Sequence, residues 1–310
     1  LVSSCSIKKN INSQEKDMSI SAKVVMELRK KTGAGMMDCK KALKETNGDI
    51  EAAITFLREK GISKAAKKAD RVAAEGLIFA NVSEDNKKGA IIELNSETDF
   101  VAKNKDFVNF GEMIVKFVVD NSISTLAELK ASKIDGKEFN EVLTSLIATI
   151  GENLNIRRIH LIEATGFVAS YIHMGGKIGV LVNSSAEATE ENITKARDIA
   201  MHAAAMDPRF FDKSEVTQDI LDKEKSIMKT QLLEEGKPEK IIDKILIGKM
   251  NKFYEENCLL QQKFVKADKQ TVEAYAGDMK VEGFVRFKVG DGIEKKSEDF
   301  AAEVAAQIKG

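Results

Sequence analysis

The chain has 310 residues, room for two or three small domains that each bury a core. Its 48 basic and 49 acidic residues almost cancel, which argues against a dedicated nucleic-acid binder, since such proteins carry a basic excess. Three scattered cysteines, Cys5, Cys39 and Cys258, form neither a disulfide framework nor a metal-ligand pair, and no apolar run nears the roughly 20 residues that span a bilayer. A reducing cytoplasm and no membrane are therefore expected, and only two prolines, Pro208 and Pro238, in a chain rich in Ala, Glu, Lys, Leu and Ile point to much helix.

Residues 1–17 are polar, end just before Met18 and precede the patterned sequence, so they read as a leader or tag outside the fold. Residues 18–63 read as a three-helix unit. Val24, Val25 and Leu28 share one face before Thr32-Gly33-Ala34-Gly35; a second helix from Met36 is expected to turn Met37, the Lys41 stem and Leu43 inward; Asp49 caps a third that carries Ile50, Ala53, Ile54 and Leu57 and stops at Gly61. So small a core is marginal alone and is expected to dock on something larger. The basic stretch 64–72, without aromatic residues for base stacking, reads as a solvated helical linker.

Two later segments share one plan. Residues 75–82, a turn at 85–89 and residues 90–95 form one glycine-punctuated pair of apolar runs; residues 165–172, Met174-Gly175-Gly176-Lys177 and residues 178–183 form another. Each reads as a β-hairpin leading into a helix, at 107–119 and 191–205. A helix and return strand through Ile150-Gly151-Glu152-Asn153 complete the first half, 73–160; the second half comprises 161–213 and 258–290. Residues 214–257 break the pattern. Val216, Ile220 and Ile227, then Ile241, Ile245 and Phe253, recur at helical spacing around Gly236-Lys237-Pro238, which reads as a helical hairpin inserted in the second half. A short helix at 272–276, a strand at 283–290 and a terminal helical module at 291–310, with Phe300, Val304 and Ile308 on one side, close the chain. The fold class is α+β, with antiparallel sheets and segregated helices.

The segment after the first hairpin, Asn95-Ser96-Glu97-Thr98-Asp99-Phe100-Val101-Ala102-Lys103-Asn104, carries the sharpest signal. Thr98 or Ser96 can cap the following helix. Phe100 at such a junction either staples the turn to the core or is offered to a partner, and local chemistry by itself favours the staple.

Enzyme chemistry lacks support. None of the Gly-Lys pairs has phosphate-loop spacing, Asp38 and Lys295 stand where two Gly-x-Gly turns would need a third glycine, and His160, His173 and His202 have no metal spacing. His173, at a hairpin tip, reads as a surface contact, and His202 as a hydrogen-bonded core residue. The residues describe a protein that acts through its surfaces.

Several long motifs in order resemble the elongation factor Ts family: residues 28–43, Thr98-Asp99-Phe100-Val101-Ala102-Lys103, Ile150-Gly151-Glu152-Asn153, Ile199-Ala200-Met201-His202 and Gly283-Phe284-Val285-Arg286-Phe287. The resemblance covers nearly all of 18–310. It implies a ubiquitin-associated-like first domain, a core of two α+β halves, a coiled-coil insertion and a C-terminal module. It implies exchange of guanine nucleotide on elongation factor Tu, with no bond chemistry, cofactor, metal or direct nucleic-acid contact in this chain. Thr98, Asp99, Phe100 and Val101 would form the wedge that displaces the partner's magnesium; Arg29, Met37, Ile150, Gly151, Asn153, His173, Met174, Met201, His202, Phe300 and Val304 would contact the partner. Self-association through the coiled coil, a bacterial cytoplasmic setting, or an organelle matrix if 1–17 are a targeting remnant, complete the expectations. A chaperone-like adaptor that docks without driving exchange is the competing reading, and the intact Thr98–Val101 motif favours exchange.

Overall fold

The computed structural model describes residues 20–294. The expected leader and the expected terminal helix with Phe300 and Val304 lie outside the described residues.

Helices α1 (Ala22–Thr32), α2 (Met36–Glu45) and α3 (Ile50–Ala66) form the expected three-helix unit. Ser21 opens α1 by accepting the Val24 N–H, Gly33 closes it at φ 68°, and Asp49 opens α3 by accepting the Ala52 N–H. Val25, Leu28, Cys39, Ala42, Leu43 and Ala53 make its core. Two expectations change here. Met37 and Lys41 point outward, Met37 with 75% of its surface exposed, because the buried stripe of α2 runs through Cys39, Ala42 and Leu43 at spacings of three and four. Gly61 does not end α3. It is buried against Ala148, where the missing side chain lets two helices approach closely. Thus the C-terminal half of α3 supplies the docking that the small core requires.

The chain continues through β1 (Glu75–Val82), β2 (Lys88–Ser96), α4 (Lys105–Asp120), α5 (Leu126–Ala131), the short pair β3 (Lys133–Ile134) and β4 (Lys137–Glu138), α6 (Phe139–Ile150) and β5 (Leu154–Glu163). It then forms β6 (Phe167–His173), β7 (Ile178–Ser184), α7 (Glu190–Met206), α8 (Gln218–Glu234), α9 (Glu239–Asn257), β8 (Lys263–Phe264), β9 (Ala267–Thr271), α10 (Val272–Ala276) and β10 (Val281–Lys288). Two three-stranded antiparallel sheets result, ordered β1-β2-β5 and β10-β7-β6. The architecture is α+β, with ten α-helices among the described residues.

Alternation along the strands explains how the sheets stack. Leu77 and Phe79 of β1, with Ala90, Ile92 and Leu94 of β2, face the α4 side, while Ile78 and Ile91 face the second sheet. Val168, Leu181 and Phe287 answer from that sheet. Helices α4 and α6 cover the outer face of the first sheet and α7 that of the second, giving a helix–sheet–sheet–helix order. The sheets come close at Gly179, where an added Cβ would lie 2.5 Å from Ile78.

One charged residue lies inside this sandwich. Glu93 shares the inner face of β2 with Ile91 and is fully buried. Its carboxylate accepts from Arg158 Nε (2.6 Å), Arg157 (3.2 Å), Asn95 Nδ2 (3.1 Å) and the Gly290 N–H (2.8 Å). Arg158 also lies 4.2 Å over the Phe287 ring and donates to the Lys288 carbonyl. Strands β2 and β5 of one sheet are thereby fastened to the end of β10 in the other.

The helical hairpin α8–α9 is present, but its seam differs from the expected one. Ile227 and Ile241 are exposed; Leu232, Ile242, Met250 and Phe253 are buried. Positions 220, 224, 228 and 232 of α8 repeat every four residues, which turns Ile227 sideways. No helix among the described residues is long and apolar enough to cross a membrane.

Replacing Glu93 by Gln removes the charge that its donors share and is expected to cost about 2 kcal/mol, seen as a lower urea midpoint at unchanged slope. A smaller effect is expected at Asp38, whose two oxygens accept from Lys60 (2.7 Å) and Lys64 (2.9 Å) of α3. Hydrogen bonds from Lys60 and then Lys64 hold its pKa below the usual value. A depressed native pKa adds stability that is complete above the unfolded value of about 4 and is lost as pH falls through the lowered native value. Asp38→Asn should therefore weaken the three-helix unit by about 0.5 kcal/mol at neutral pH, the pair being partly exposed. Amide exchange of α1–α3 measures this, and the difference should fade in acid.

Candidate functional site

The segment between β2 and α4 is built differently from the simple capped helix. Asn104, not Ser96 or Thr98, caps α4 by accepting the N–H groups of Asp106 (2.8 Å) and Phe107 (3.4 Å). A short 3-10 turn, Val101–Lys103, stands before it. Ser96 Oγ donates to the Thr98 carbonyl at 2.8 Å. Thr98 turns away from the helix: its N–H donates to Glu152 Oε2 (2.9 Å) and its hydroxyl to Glu152 Oε1 (2.6 Å).

The exchange is reciprocal, for the Asn153 N–H donates to Glu97 Oε1 at 2.6 Å. Asn153 Nδ2 also donates to the Arg71 carbonyl (2.7 Å), and the Arg71 guanidinium approaches Glu97 (3.4 Å). Lys68 Nζ donates to the Gly151 carbonyl. The basic stretch that reads as a solvated linker is thus tied to the loops it passes.

Two neighbouring side chains decide how Phe100 stands. Val101 is buried in the core beneath α4, whereas Phe100 is 78% exposed. The staple is therefore not formed, and the ring projects from the loop with Asp99, also exposed, beside it.

Other expected contact residues fall near this end of the sandwich. Ile150 ends α6 half-buried, and Gly151 closes it exposed at φ 88°. The β6–β7 turn reaches the same end, because Lys177 Nζ bonds Glu75 Oε2 (3.0 Å) and the Gly76 carbonyl (3.2 Å), and Glu75 pairs with Ser96 across β1 and β2. At its tip Met174, at φ 50°, is 68% exposed. His173 is half-buried, with Nδ1 3.1 Å from the Tyr171 hydroxyl. Arg29 and Met37 are exposed on the three-helix unit.

Helix α7 behaves otherwise. Met201 is half-buried, and His202 is completely buried. His202 Nδ1 accepts the Val265 N–H at 3.2 Å, so Nε2 carries the proton toward Gln262 Oε1 at 2.9 Å. Burial lowers its pKa and favours this neutral form. His202 matches the core reading, and its expected place among the partner-contacting side chains is corrected: no surface is left to touch.

Two residues escaped the expected set. Met36 is exposed beside Met37, and Glu152 joins two loops 54 positions apart in sequence. A long-range bond of that kind leaves no local periodicity; the only sign was the place of Glu152 between Gly151 and Asn153.

The family model described as Elongation factor TS matches residues 97–291. Elongation factor Ts of a Nitratiruptor species is 51% identical over 307 residues, covering 94% of this chain and all of the relative. That of Halothermothrix orenii is 50% identical over 94% of this chain and 99% of the relative, and that of Clostridium botulinum (strain Eklund 17B) 49% over 93% and 99%. The chain belongs to the elongation factor Ts family.

Proposed function

We propose that this chain accelerates the release of GDP from elongation factor Tu so that GTP can rebind. Family membership makes it a translation elongation factor; the exchange step and its residues are our reading. The observation that carries it is Phe100, a large apolar ring held 78% exposed beside a carboxylate on a braced loop. An aromatic side chain held out on a fixed loop can anchor in a partner's pocket, and truncating such an anchor costs about 2 kcal/mol or more of binding.

The partner's GDP site depends on a magnesium ion that offsets phosphate charge, so a wedge that dislodges the ion weakens nucleotide retention without any bond being made or broken. Thr98–Val101 would form that wedge. Phe100 inserts and Asp99 engages donors freed around it. The chain then acts by binding alone, with no cofactor of its own: it prefers the nucleotide-free partner, and linkage requires that factor and GDP weaken each other equally.

The remaining surface fits a multi-point grip. The three-helix unit, 18–63, serves as a ubiquitin-associated-like docking domain through Arg29 and Met37, supported by their exposure. Ile150, Gly151 and Asn153, the β6–β7 tip with His173 and Met174, and the side of α7 with Met201 add contacts. The hairpin 214–257 is the coiled-coil insertion, and its exposed Ile227, Ile241 and Ile247 support self-association there. The halves 73–160 and 161–213 with 258–290 carry these surfaces, joined by the linker 64–72. The module 291–310, with Phe300 and Val304, would contribute a last contact. The setting we infer is the bacterial cytoplasm.

The test is the release of fluorescent GDP from purified elongation factor Tu with the wild-type chain, with Phe100→Ala and with neither. Wild type should accelerate release strongly, and Phe100→Ala should lose about ten-fold or more of that acceleration. Tight binding without acceleration would overturn the exchange reading and favour the adaptor.

A further inference from the structure

The geometry points to Glu152 as a positioning residue that latches the Phe100 loop in its outward stance, an inference that rests on the exchange reading above. Both of its carboxylate oxygens are committed to Thr98, one to the N–H and one to the hydroxyl. They are not free for a partner while these bonds stand. The bonds fix the backbone two residues before Phe100, and the buried Val101 fixes it one residue after. Between these anchors the Cα–Cβ bond of Phe100 is held pointing outward.

The bond is one half of a pair. Glu97 returns the exchange by accepting the Asn153 N–H. Asn153 Nδ2 then fastens the Arg71 carbonyl at 2.7 Å, and Lys68 bonds the Gly151 carbonyl. The linker leaving the three-helix unit therefore ends on the same turn that holds the wedge loop. Charged acceptors make the stronger class of hydrogen bond, and here they join three segments that are far apart in sequence. Pre-organisation of this kind removes the cost of ordering the loop at the moment of binding. A loose loop would still carry Phe100 but would present it in the productive direction only part of the time.

The experiment has two readouts. In the free protein, NMR hydrogen exchange at the Thr98 amide should be slow in wild type and at least about ten-fold faster in Glu152→Ala, while amides in the centre of β2 stay unchanged. With GDP-loaded elongation factor Tu, Glu152→Ala should cut the acceleration of GDP release at saturating factor about ten-fold. Thr98→Val, which keeps the N–H and the shape but loses the hydroxyl, should cut it about three-fold. The double variant Glu152→Ala with Phe100→Ala should be no slower than Phe100→Ala alone, because a residue that acts through Phe100 has nothing left to position. Fast exchange of the Thr98 amide in wild type overturns the latch whatever the activity. So does full acceleration by Glu152→Ala, or an additive loss in the double variant. If wild type itself fails to release GDP, the exchange reading falls, and the amide data still decide whether the loop is latched.

Discussion

Glu93 sits between two β-sheets with no surface exposed, and the four donors around it come from β2, from β5 and from the turn after β10. A buried carboxylate is a poor way to gain stability, because a well-packed apolar residue costs less desolvation. What it does well is fix register. The apolar contacts between the sheets, Ile78 and Ile91 against Val168, Leu181 and Phe287, are non-directional and would tolerate some sliding. The carboxylate is satisfied in one arrangement of Arg157, Arg158 and Gly290. Once that arrangement is set, the end of the sandwich is set with it, since Glu93 lies only a few residues upstream of the Phe100 loop. Gly179 works toward the same end by letting the two sheets approach where any side chain would hold them apart.

Single exposed apolar side chains are ordinary on a protein surface, so what distinguishes a few of them here is how firmly each is held. Phe100, Met37 and Met174 are the large apolar residues most exposed among the described residues, and each stands on a different structural unit. Each is also held by a rigid neighbour. Val101 and Thr98 brace Phe100; the buried Cys39, Ala42 and Leu43 orient the helix that carries Met37; the left-handed turn at 174–176, with Gly176 against Leu77, shapes the tip that carries Met174. Anchors on a stiff frame lose less freedom when they are covered than anchors on loose loops.

Much of this was legible from residue patterns. The two hairpins announce themselves by glycine between β-branched runs, and the order of helices in the first 66 residues follows from capping residues and apolar spacing. What failed to show was whatever depends on distance. Gly61 looks like a stop signal until Ala148 arrives beside it. The face of α2 is ambiguous at Met37, because a short helix with apolar residues at 36, 37, 39, 42 and 43 offers two overlapping stripes. The elements α5, β3, β4, β8 and β9 are too short to carry a period. At Phe100 the local chemistry favours the inward staple, and the burial of Val101 shows that the other of the two adjacent apolar side chains goes inward. His202 illustrates the reverse case, a core residue whose inclusion among contacts came from its motif and whose surroundings exclude it.

The bonds around Thr98 also bear on the exchange reading proposed above. An exchange factor changes an equilibrium only by as much as it prefers one partner state over another. A flexible probe adapts to both states and prefers neither, so the preference must be stored in stiffness. Here the stiffness has an identifiable source. Four hydrogen bonds link residues 97–98, 152–153 and 71, and together they close the loop onto the turn before β5 and the linker. Each contributes about 1–3 kcal/mol where one partner is charged, less in proportion to its exposure. Their sum is comparable to the few kcal/mol that separate a wedge that fits one partner state from one that adapts to both. On the proposed exchange reading, these bonds would raise the cost of adapting the loop to a partner state it does not fit.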